Sequence, residues 1–438
     1  MALKKKTSTK NPPILSHEFV IQNHGDIVSC VAMLFVVGLM VQVTSPLAYM
    51  FIALHHNVTS TVQDSEYGVP IDVLRYTYGV RDACAVFFYF LICIVMHAIV
   101  QEYILDKFSK KLHLSKSKQN KFNESGQLLV FYVISFLWAG DIMVRENLLT
   151  NLSSLWLNYP HNTMAFTLKF FYIIQIAYWF HSYPELYFQK VKREDISSKL
   201  LYPTLHLVFI VGAYLLNFNR VGVVLLSLQY LAEAAFHTAR LIYFSDKSES
   251  GRKGGYTIAN IAFVVSRLLT VTITVLTFWY GLALSSAAAI DFEAGNFNTD
   301  IIRIGSLSVI SLLQAWLMWN FLTFYLKYMK EKTSQKNKAK PVVAKKPKAT
   351  IQDRITKAKK KREERKSPPK DKKNIRIILI SRINITPYFL HKDFKKINIF
   401  YFSEKQTKED DDLPEVDQNT KKNLRSRPVA AAAAQKAK

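Results

Sequence analysis

Cysteine is scarce in this chain: Cys30, Cys84 and Cys93 are the only three in 438 residues. None forms a Cys-x-x-Cys pair and none stands with histidine at zinc spacing, which excludes a disulfide framework, a zinc ribbon and a dithiol redox motif. All three lie in or beside apolar segments and read as small buried residues. Histidine is no richer in pattern. His97, His181, His206 and His237 fall one to each apolar segment, so no two sit at i, i+3 or i+4 on one helix, and the adjacent His55-His56 lies at a segment end. There is no glycine-rich phosphate loop, no Ser/His/Asp arrangement and no pair of carboxylates at acid/base spacing. We therefore expect no catalytic residue, no metal site and no cofactor. A cleavable leader is also lacking, because the first apolar run starts only near Ile27 and is too long for a signal h-region. It reads as an uncleaved first span. The closing Gln435-Lys436-Ala437-Lys438 is not a KDEL-type retrieval signal.

What the chain has instead is long apolar blocks. Hydrophobic residues make up 50% of it, and this figure understates the blocks because a lysine-rich tail dilutes the average. A helix crosses the hydrocarbon in about 20 residues, and only helices satisfy their own backbone groups there. Eight candidate spans follow: Ile27–Leu54, Ala83–Val100, Leu128–Val144, Met164–His181, Leu200–Leu216, Val221–Phe244, Ile258–Leu284 and Ile301–Leu326. The first exceeds one crossing, and Pro46 is placed to kink or end it. The fifth is short, and the spacing puts Pro203 in its first turn, where a missing N–H costs nothing. The fold class is an all-α polytopic membrane protein.

Lysine and arginine set the orientation. The lead carries Lys4, Lys5, Lys6 and Lys10. The loop after the second span carries Lys107, Lys110, Lys111, Lys116, Lys118 and Lys121; that after the fourth carries Lys190, Lys192, Arg193 and Lys199; that after the sixth carries Lys247, Arg252 and Lys253. The odd-numbered loops hold few, and the seventh holds only acids, Asp291, Glu293 and Asp300. Strict alternation puts the lead, the even-numbered loops and the tail in the cytosol. The net charge of +25 belongs mainly to tail and loops, so anionic lipid headgroups or RNA are the expected contacts, or the tail is a solvated face that holds orientation. Asn57-Val58-Thr59 falls in the first outside loop and makes Asn57 a candidate glycosylation site; Asn151-Leu152-Ser153 falls in the third. Asn123 and Asn384 also head sequons but lie on the cytosolic side.

Ionisable groups inside spans are costly and point to function. Glu233 and Arg267 lie roughly 16 and 14 Å from the same face at about 1.5 Å per residue, which suggests an intramembrane ion pair. The alternatives are that Arg267 snorkels, that the two helices do not touch there, or that Glu233 faces Arg240 two turns along its own helix. Near the outer face, Asp141 and Lys169 lie on consecutive helices at similar depth and are expected to pair. These four residues form a candidate intramembrane polar surface. The aromatic runs Phe170-Phe171-Tyr172 and Tyr178-Trp179-Phe180 read as packing and interface residues.

Longer stretches carry a resemblance. Asn11-Pro12-Pro13 with Leu15-Ser16-His17-Glu18-Phe19, Gln22-Asn23-His24 with Asp26-Ile27-Val28-Ser29-Cys30, and His97-Ala98 with Gln101-Glu102-Tyr103 are part of it. So are Lys121-Phe122-Asn123-Glu124-Ser125-Gly126-Gln127, Pro184-Glu185-Leu186-Tyr187-Phe188-Gln189-Lys190 and Gly212-Ala213-Tyr214-Leu215-Leu216-Asn217. With these the chain resembles the translocating chain-associating membrane (TRAM) proteins of the endoplasmic reticulum. The resemblance implies eight spans with both termini cytosolic, in the endoplasmic reticulum membrane. It also implies a place beside the Sec translocon, helping nascent secretory and membrane chains reach the bilayer through their signal sequences and transmembrane segments. Residues 117–326 look like a TLC domain, the helical bundle shared with ceramide synthases. The expected organisation is a cytosolic segment 1–26, two spans with their loops over 27–116, the TLC domain 117–326 with six spans, and a basic, mostly disordered cytosolic tail 327–438.

The ceramide synthases carry adjacent histidines and then a His-Asp. Aligned on Asn217, Arg220 and Gly222, this chain has Tyr202-Pro203 at the first position and Gln229-Tyr230 at the second. None of these is a general base near neutral pH, since tyrosine titrates near 10 and the glutamine and proline side chains do not titrate. The leading expectation is a non-enzymatic insertion factor whose partners are the translocon, nascent chains, membrane lipids and, through the basic tail, the ribosome. The alternatives are a sphingolipid N-acyltransferase and a lipid-binding or lipid-regulating protein on the same fold. The tail departs from the family at 374–403, where Ile377-Ile378-Leu379-Ile380 and Phe400-Tyr401-Phe402 turn apolar; this reads as an atypical C-terminus or a short partner-binding or β-prone segment.

Overall fold

The computed structural model describes residues 13, 16–63, 70–189, 191, 193–245 and 248–339. The lysines of the lead, the basic run Lys357–Lys373, Asn384 and the apolar stretch 374–403 lie outside them. One compact unit contains the described residues up to Trp319; Asn320 onward belongs to a second, described only as the end of the last helix.

Helices dominate, as the apolar blocks require. In order they are α1 His17–Gln22, α2 His24–Gly38, α3 Ser45–Ile52, α4 Asp82–Ile99, α5 Asp106–Lys111, α6 Lys116–Arg145, α7 Phe166–Phe188, α8 Arg193–Leu215, α9 Asn219–Ser245, α10 Glu249–Thr274 and α11 Asp300–Ala339. A π-helical turn, Val100–Leu105, joins α4 to α5, and another, Val275–Gly281, extends α10. Six stretches are long and apolar enough to cross a membrane: Asp82–Lys111, Lys116–Arg145, Asp195–Leu215, Asn219–Ser245, Glu249–Ser285 and Asp300–Glu331. The other two expected crossings differ. α2 has only 15 residues. α7 has 23 but carries Lys169, Gln175, His181 and Glu185, and its buried residues between Leu168 and His181 fall on all sides of the helix. A helix that meets protein rather than lipid need not be apolar all round.

The first expected span, Ile27–Leu54, is not one helix. α2 stops at Gly38, the chain turns over Leu39–Thr44, and α3 runs back with Pro46 in its first turn. A straight helix would hold Phe35 and Phe51 about 24 Å apart. Their rings instead lie 4.9 Å apart, and Phe35 also meets Phe87 and Phe88 of α4. Gly38 permits the reversal, since a Cβ there would come within 3.3 Å of Ala48. The Thr44 hydroxyl donates to the Gly38 carbonyl at 2.9 Å and so satisfies one of the acceptors left by the helix end.

Beyond α3 the chain forms a hairpin that the helical reading did not anticipate. β1 Asn57–Gln63 pairs antiparallel with β2 Pro70–Tyr76, with Asn57 opposite Tyr76 and Ser60 opposite Val73. Tyr76 continues the pairing to Met164, just before α7, with N–H···O bonds of 2.9 and 2.7 Å. We refer to this end of the bundle as the hairpin end, and to the other, where α4, α7 and α9 finish, as the tail end.

α9 is the central helix and packs most closely on α6 and α10. Gly222 near its start has no room for a side chain, because a Cβ would strike the Tyr172 hydroxyl and stand 2.8 Å from Ala213. The core is unusually aromatic: Phe131 stacks on Tyr178, and Trp179, Tyr132 and Tyr230 close around them. Aromatic faces and edges favour such offset and tilted contacts beyond plain area burial. α8 begins at Arg193, seven residues before the apolar block, so Pro203 lies inside the helix and not in its first turn as the spacing suggested.

Candidate functional site

One group of polar side chains within the apolar segments gathers from five helices, α6 and α8 to α11. Gln229 and Glu233 are one turn apart on α9 and share a face. The Gln229 amide donates to Glu233 Oε1 at 2.7 Å, and its carbonyl accepts from the Arg267 guanidinium of α10. Arg267 also donates to Gln314 Oε1 of α11 at 2.9 Å and lies 5.0 Å from the centre of the Phe263 ring. From α8, the Tyr202 hydroxyl bonds Glu233 and stands 3.1 Å from the Tyr132 hydroxyl. Glu233 and Arg267 are both buried, 3% and 2% exposed. Sequence depth thus brings Glu233 and Arg267 to one place, with Gln229 as the bridge between them. Arg240 reaches Glu124 of α6 at 4.0 Å.

The other expected pair is overturned. Asp141 bonds Arg145 on its own helix at 2.7 Å, with both side chains largely exposed. Lys169, fully buried, sits 2.7 Å from Asp82 and donates to the carbonyls of His55 and Thr77, each at 2.7 Å. Tyr214 and the Gly79 N–H complete the cluster on Asp82 Oδ2, both at 2.8 Å. Helix order put Asp141 near Lys169; the rotation of α6 turns Asp141 outward. This cluster ties the hairpin to α4, α7 and α8.

Tyr202, Gln229, Glu233, Arg267 and Gln314 form a polar belt on the wall of a half-enclosed cavity of about 1400 Å³ that runs from His97 and Glu185 at the tail end to Phe278 and Ile302 at the hairpin end. Its long walls are α8 and α11, of which 12% and 11% of the apolar stretch is buried, against 61% for α9. The four positions aligned with the adjacent histidines and the His-Asp of the ceramide synthases divide. Tyr202, Pro203 and Gln229 face the cavity. Tyr230 turns into the core, where it donates to Gln175 at 2.8 Å and accepts from Trp179 at 3.3 Å. Residues missed from sequence are Gln314 and Tyr132, each a polar group within an apolar run, and the pair His97 and His181, whose ring nitrogens approach to 3.5 Å across α4 and α7. Among the described residues no cluster of three or more His, Cys, Asp or Glu has metal-binding geometry.

The loops at the hairpin end are held by buried polar groups. Asn219 donates to the His161 carbonyl at 2.8 Å, and the Tyr159 hydroxyl donates to the Leu216 carbonyl at 2.8 Å while accepting from the Phe297 N–H. Burial, with Arg220 adding repulsion, pushes His161 down to about 4, and burial pushes Tyr159 up to about 12. Asn57, on the first residue of β1, is exposed.

Residues 121–323 match the TLC domain family. The chain is similar to "Translocating chain-associated membrane protein 2" of Homo sapiens, at 45% identity over 344 residues, 78% of this chain and 90% of that protein. This chain belongs to the translocating chain-associated membrane protein family. It is likewise similar to "Translocating chain-associated membrane protein 2" of Mus musculus, at 46% identity over 331 residues, 76% of this chain and 86% of that protein. A more distant likeness, 25% over 171 residues and 39% of each chain, is to "Sphingosine N-acyltransferase-like protein ALT7" of Alternaria alternata.

Proposed function

We infer that this chain is a non-enzymatic accessory factor of the endoplasmic reticulum translocon, assisting nascent secretory and membrane proteins across or into the bilayer. It crosses the membrane eight times, with α2 and α7 as the two crossings beyond the six long apolar helices, and both termini face the cytosol. Its domains are those the sequence suggests: 1–26, 27–116, the TLC domain 117–326 and the basic tail 327–438. The hairpin end is then lumenal, and Asn57 is available for glycosylation. Besides the Sec translocon and nascent chains, the partners are membrane lipids and, through the tail, the ribosome.

The observation that carries this reading is the belt of Tyr202, Gln229, Glu233, Arg267 and Gln314 on the wall of a cavity flanked by two weakly buried helices. An apolar segment leaving water needs a surface that accepts its remaining polar groups, and hydrocarbon offers none. A wall of apolar residues interrupted by amides, a hydroxyl and a paired charge supplies such a surface. Acyl transfer finds little support. It needs a base poised near neutral pH, and the positions that would hold one carry Tyr202, Pro203, Gln229 and Tyr230. Glu233, the one carboxylate of the belt, is held by Gln229 and Tyr202.

The test is photocrosslinking from probes placed along the cavity faces of α8, α9 and α11, with a ribosome-bound, signal-bearing nascent chain as bait. Adducts from several positions that vanish on puromycin release are the expected result. No adduct from any position, with the protein folded and at the translocon, refutes the reading.

A further inference from the structure

The tail end of the cavity is closed by a second polar group that the belt does not use. His97 of α4 stands between two residues of α7: its Nε2 lies 3.3 Å from Glu185 Oε1, and its Nδ1 lies 3.5 Å from His181 Nε2. His181 is fixed in turn through its own Nδ1 on the Tyr178 carbonyl. The π-helical turn Val100–Leu105 follows His97, and Gln127 of α6 donates to the His97 carbonyl at 2.9 Å. Extra residues of this kind re-aim side chains and are frequent at functional sites. Pro184 interrupts α7 beside Glu185.

The Glu185 carboxylate uses only one of its oxygens. Oε2 is buried and has no donor among the described residues, and Glu185 faces the cavity. A buried carboxylate oxygen without a donor is costly, so an N–H or O–H brought by a ligand would be favoured there. The same rim carries Lys121 of α6 and Lys199 of α8 beside the acids Glu124 and Asp195, while the wall beyond it turns apolar through Val208, Leu225 and Leu313. The rim therefore offers an acceptor for a cation and cations for an anion, above an apolar trough. At about 1400 Å³ the trough exceeds the roughly 300–1,000 Å³ of an ordinary small-ligand pocket, which suits a molecule with long chains.

We propose that this rim binds the head of an aminophospholipid: a primary ammonium donates to Glu185 Oε2, the phosphate faces Lys121 and Lys199, and the acyl chains lie between α8 and α11. The chemistry discriminates sharply. A choline head carries no N–H and leaves Oε2 unsatisfied, whereas ethanolamine and serine heads supply three donors. This assignment stands apart from the translocation reading, because lipid retention is measured without a translocon.

The experiment uses the full chain reconstituted in vesicles of equal phosphatidylcholine, phosphatidylethanolamine and phosphatidylglycerol with matched acyl chains, followed by mild extraction and mass spectrometry of the retained lipid. The wild type should retain ethanolamine over choline about tenfold, and Glu185→Gln should return the ratio to that of the bulk while still holding lipid. Asp141→Asn, on the outer surface, should keep the preference. If Glu185→Gln does not fold, the wild type is tested against ethanolamine heads with one, two and three N-methyl groups, and retention should fall with each. Retention in bulk proportion by the wild type overturns the proposal. So does a preference for phosphatidylglycerol that Glu185→Gln leaves unchanged, since the lysines alone would then account for binding.

Discussion

Replacing Lys169 by methionine should destabilise the protein strongly. The ammonium is fully buried and makes three short contacts, to Asp82 and to the carbonyls of His55 and Thr77, each at 2.7 Å. Methionine fills a similar volume, so the loss is electrostatic. Asp82 then keeps Tyr214 and the Gly79 N–H but loses its counter-charge, and breaking a buried pair on one side costs about 3–5 kcal/mol. At about 2–4 °C per kcal/mol for a domain of 150–250 residues, thermal unfolding in detergent should shift down by roughly 10 °C. The damage should be local first, with the hairpin released from α7 and cut by protease between β1 and β2. Asp82→Asn alone should cost a comparable amount. The double variant should cost less than the sum of the two, because neither charge is then left alone. Single shifts below about 2 °C, or a double variant equal to the sum, would refute the argument that this pair braces the hairpin end.

His161 gives a pH prediction with a definite sign. Burial holds its folded pKa near 4, below the ordinary value of 6.5, so the unfolded chain binds the extra proton and stability should fall as pH drops through the window from about 6.5 to about 4. His161→Asn should flatten that part of a pH–melting profile. Gln314→Leu removes the acceptor of one Arg267 N–H, and a hydrogen bond to a charged group contributes about 1.5–3 kcal/mol, so melting should fall by several degrees without loss of the hairpin. In microsomes, Asn57→Gln should abolish an endoglycosidase-sensitive shift in mobility, while Asn123→Gln changes nothing; a glycan on Asn123 would reverse the proposed orientation.

The six long apolar helices were legible because hydrocarbon filters for apolar runs. α9 occupies Asn219–Ser245 where the hydropathy suggested Val221–Phe244. α8 and α11 overrun their apolar blocks at Arg193 and toward Ala339, since a helix does not stop where lipid does and charged residues propagate it through water. The reversal at Leu39–Thr44 was hidden for the opposite reason. One long helix and two antiparallel short ones bury the same residues, so composition does not separate them; excess length and Pro46 were the available signals. The hairpin was missed because Val58-Thr59-Ser60-Thr61-Val62 has a β-branched, alternating character that a search for membrane spans passes over.

At the site, depth along each helix was readable and direction around it was not. Glu233 and Arg267 meet because equal depth on adjacent helices allows it, and Asp141 and Lys169 fail to meet although their depths also agree. A rotation of one residue, about 100°, decides which side of a helix a group faces. That rotation also sends Gln229 to the cavity and Tyr230 to the core. His97 and His181 were set aside because a ligand pair was sought on one helix; their meeting belongs to two helices.

The distribution of these polar groups follows the looseness of the walls. α9 is gripped by α6 and α10 along most of its length, so its polar ties to them, Arg240 to Glu124 and Gln229 to Arg267, add to an extensive packed surface. α11, the least buried of the long apolar helices, is fastened by two arginines, Arg267 through Gln314 and Arg303 through the Phe278 carbonyl at 3.1 Å. Hydrogen bonds depend steeply on distance and direction, whereas apolar contacts are non-directional and fade with area. A wall held by a few directional ties can yield by exchanging them for a ligand's polar groups, while a wall held by packing must lose area as it moves. Arg267 and Gln314, which fasten α11, line the cavity and are thus among the side chains an incoming chain or lipid would meet.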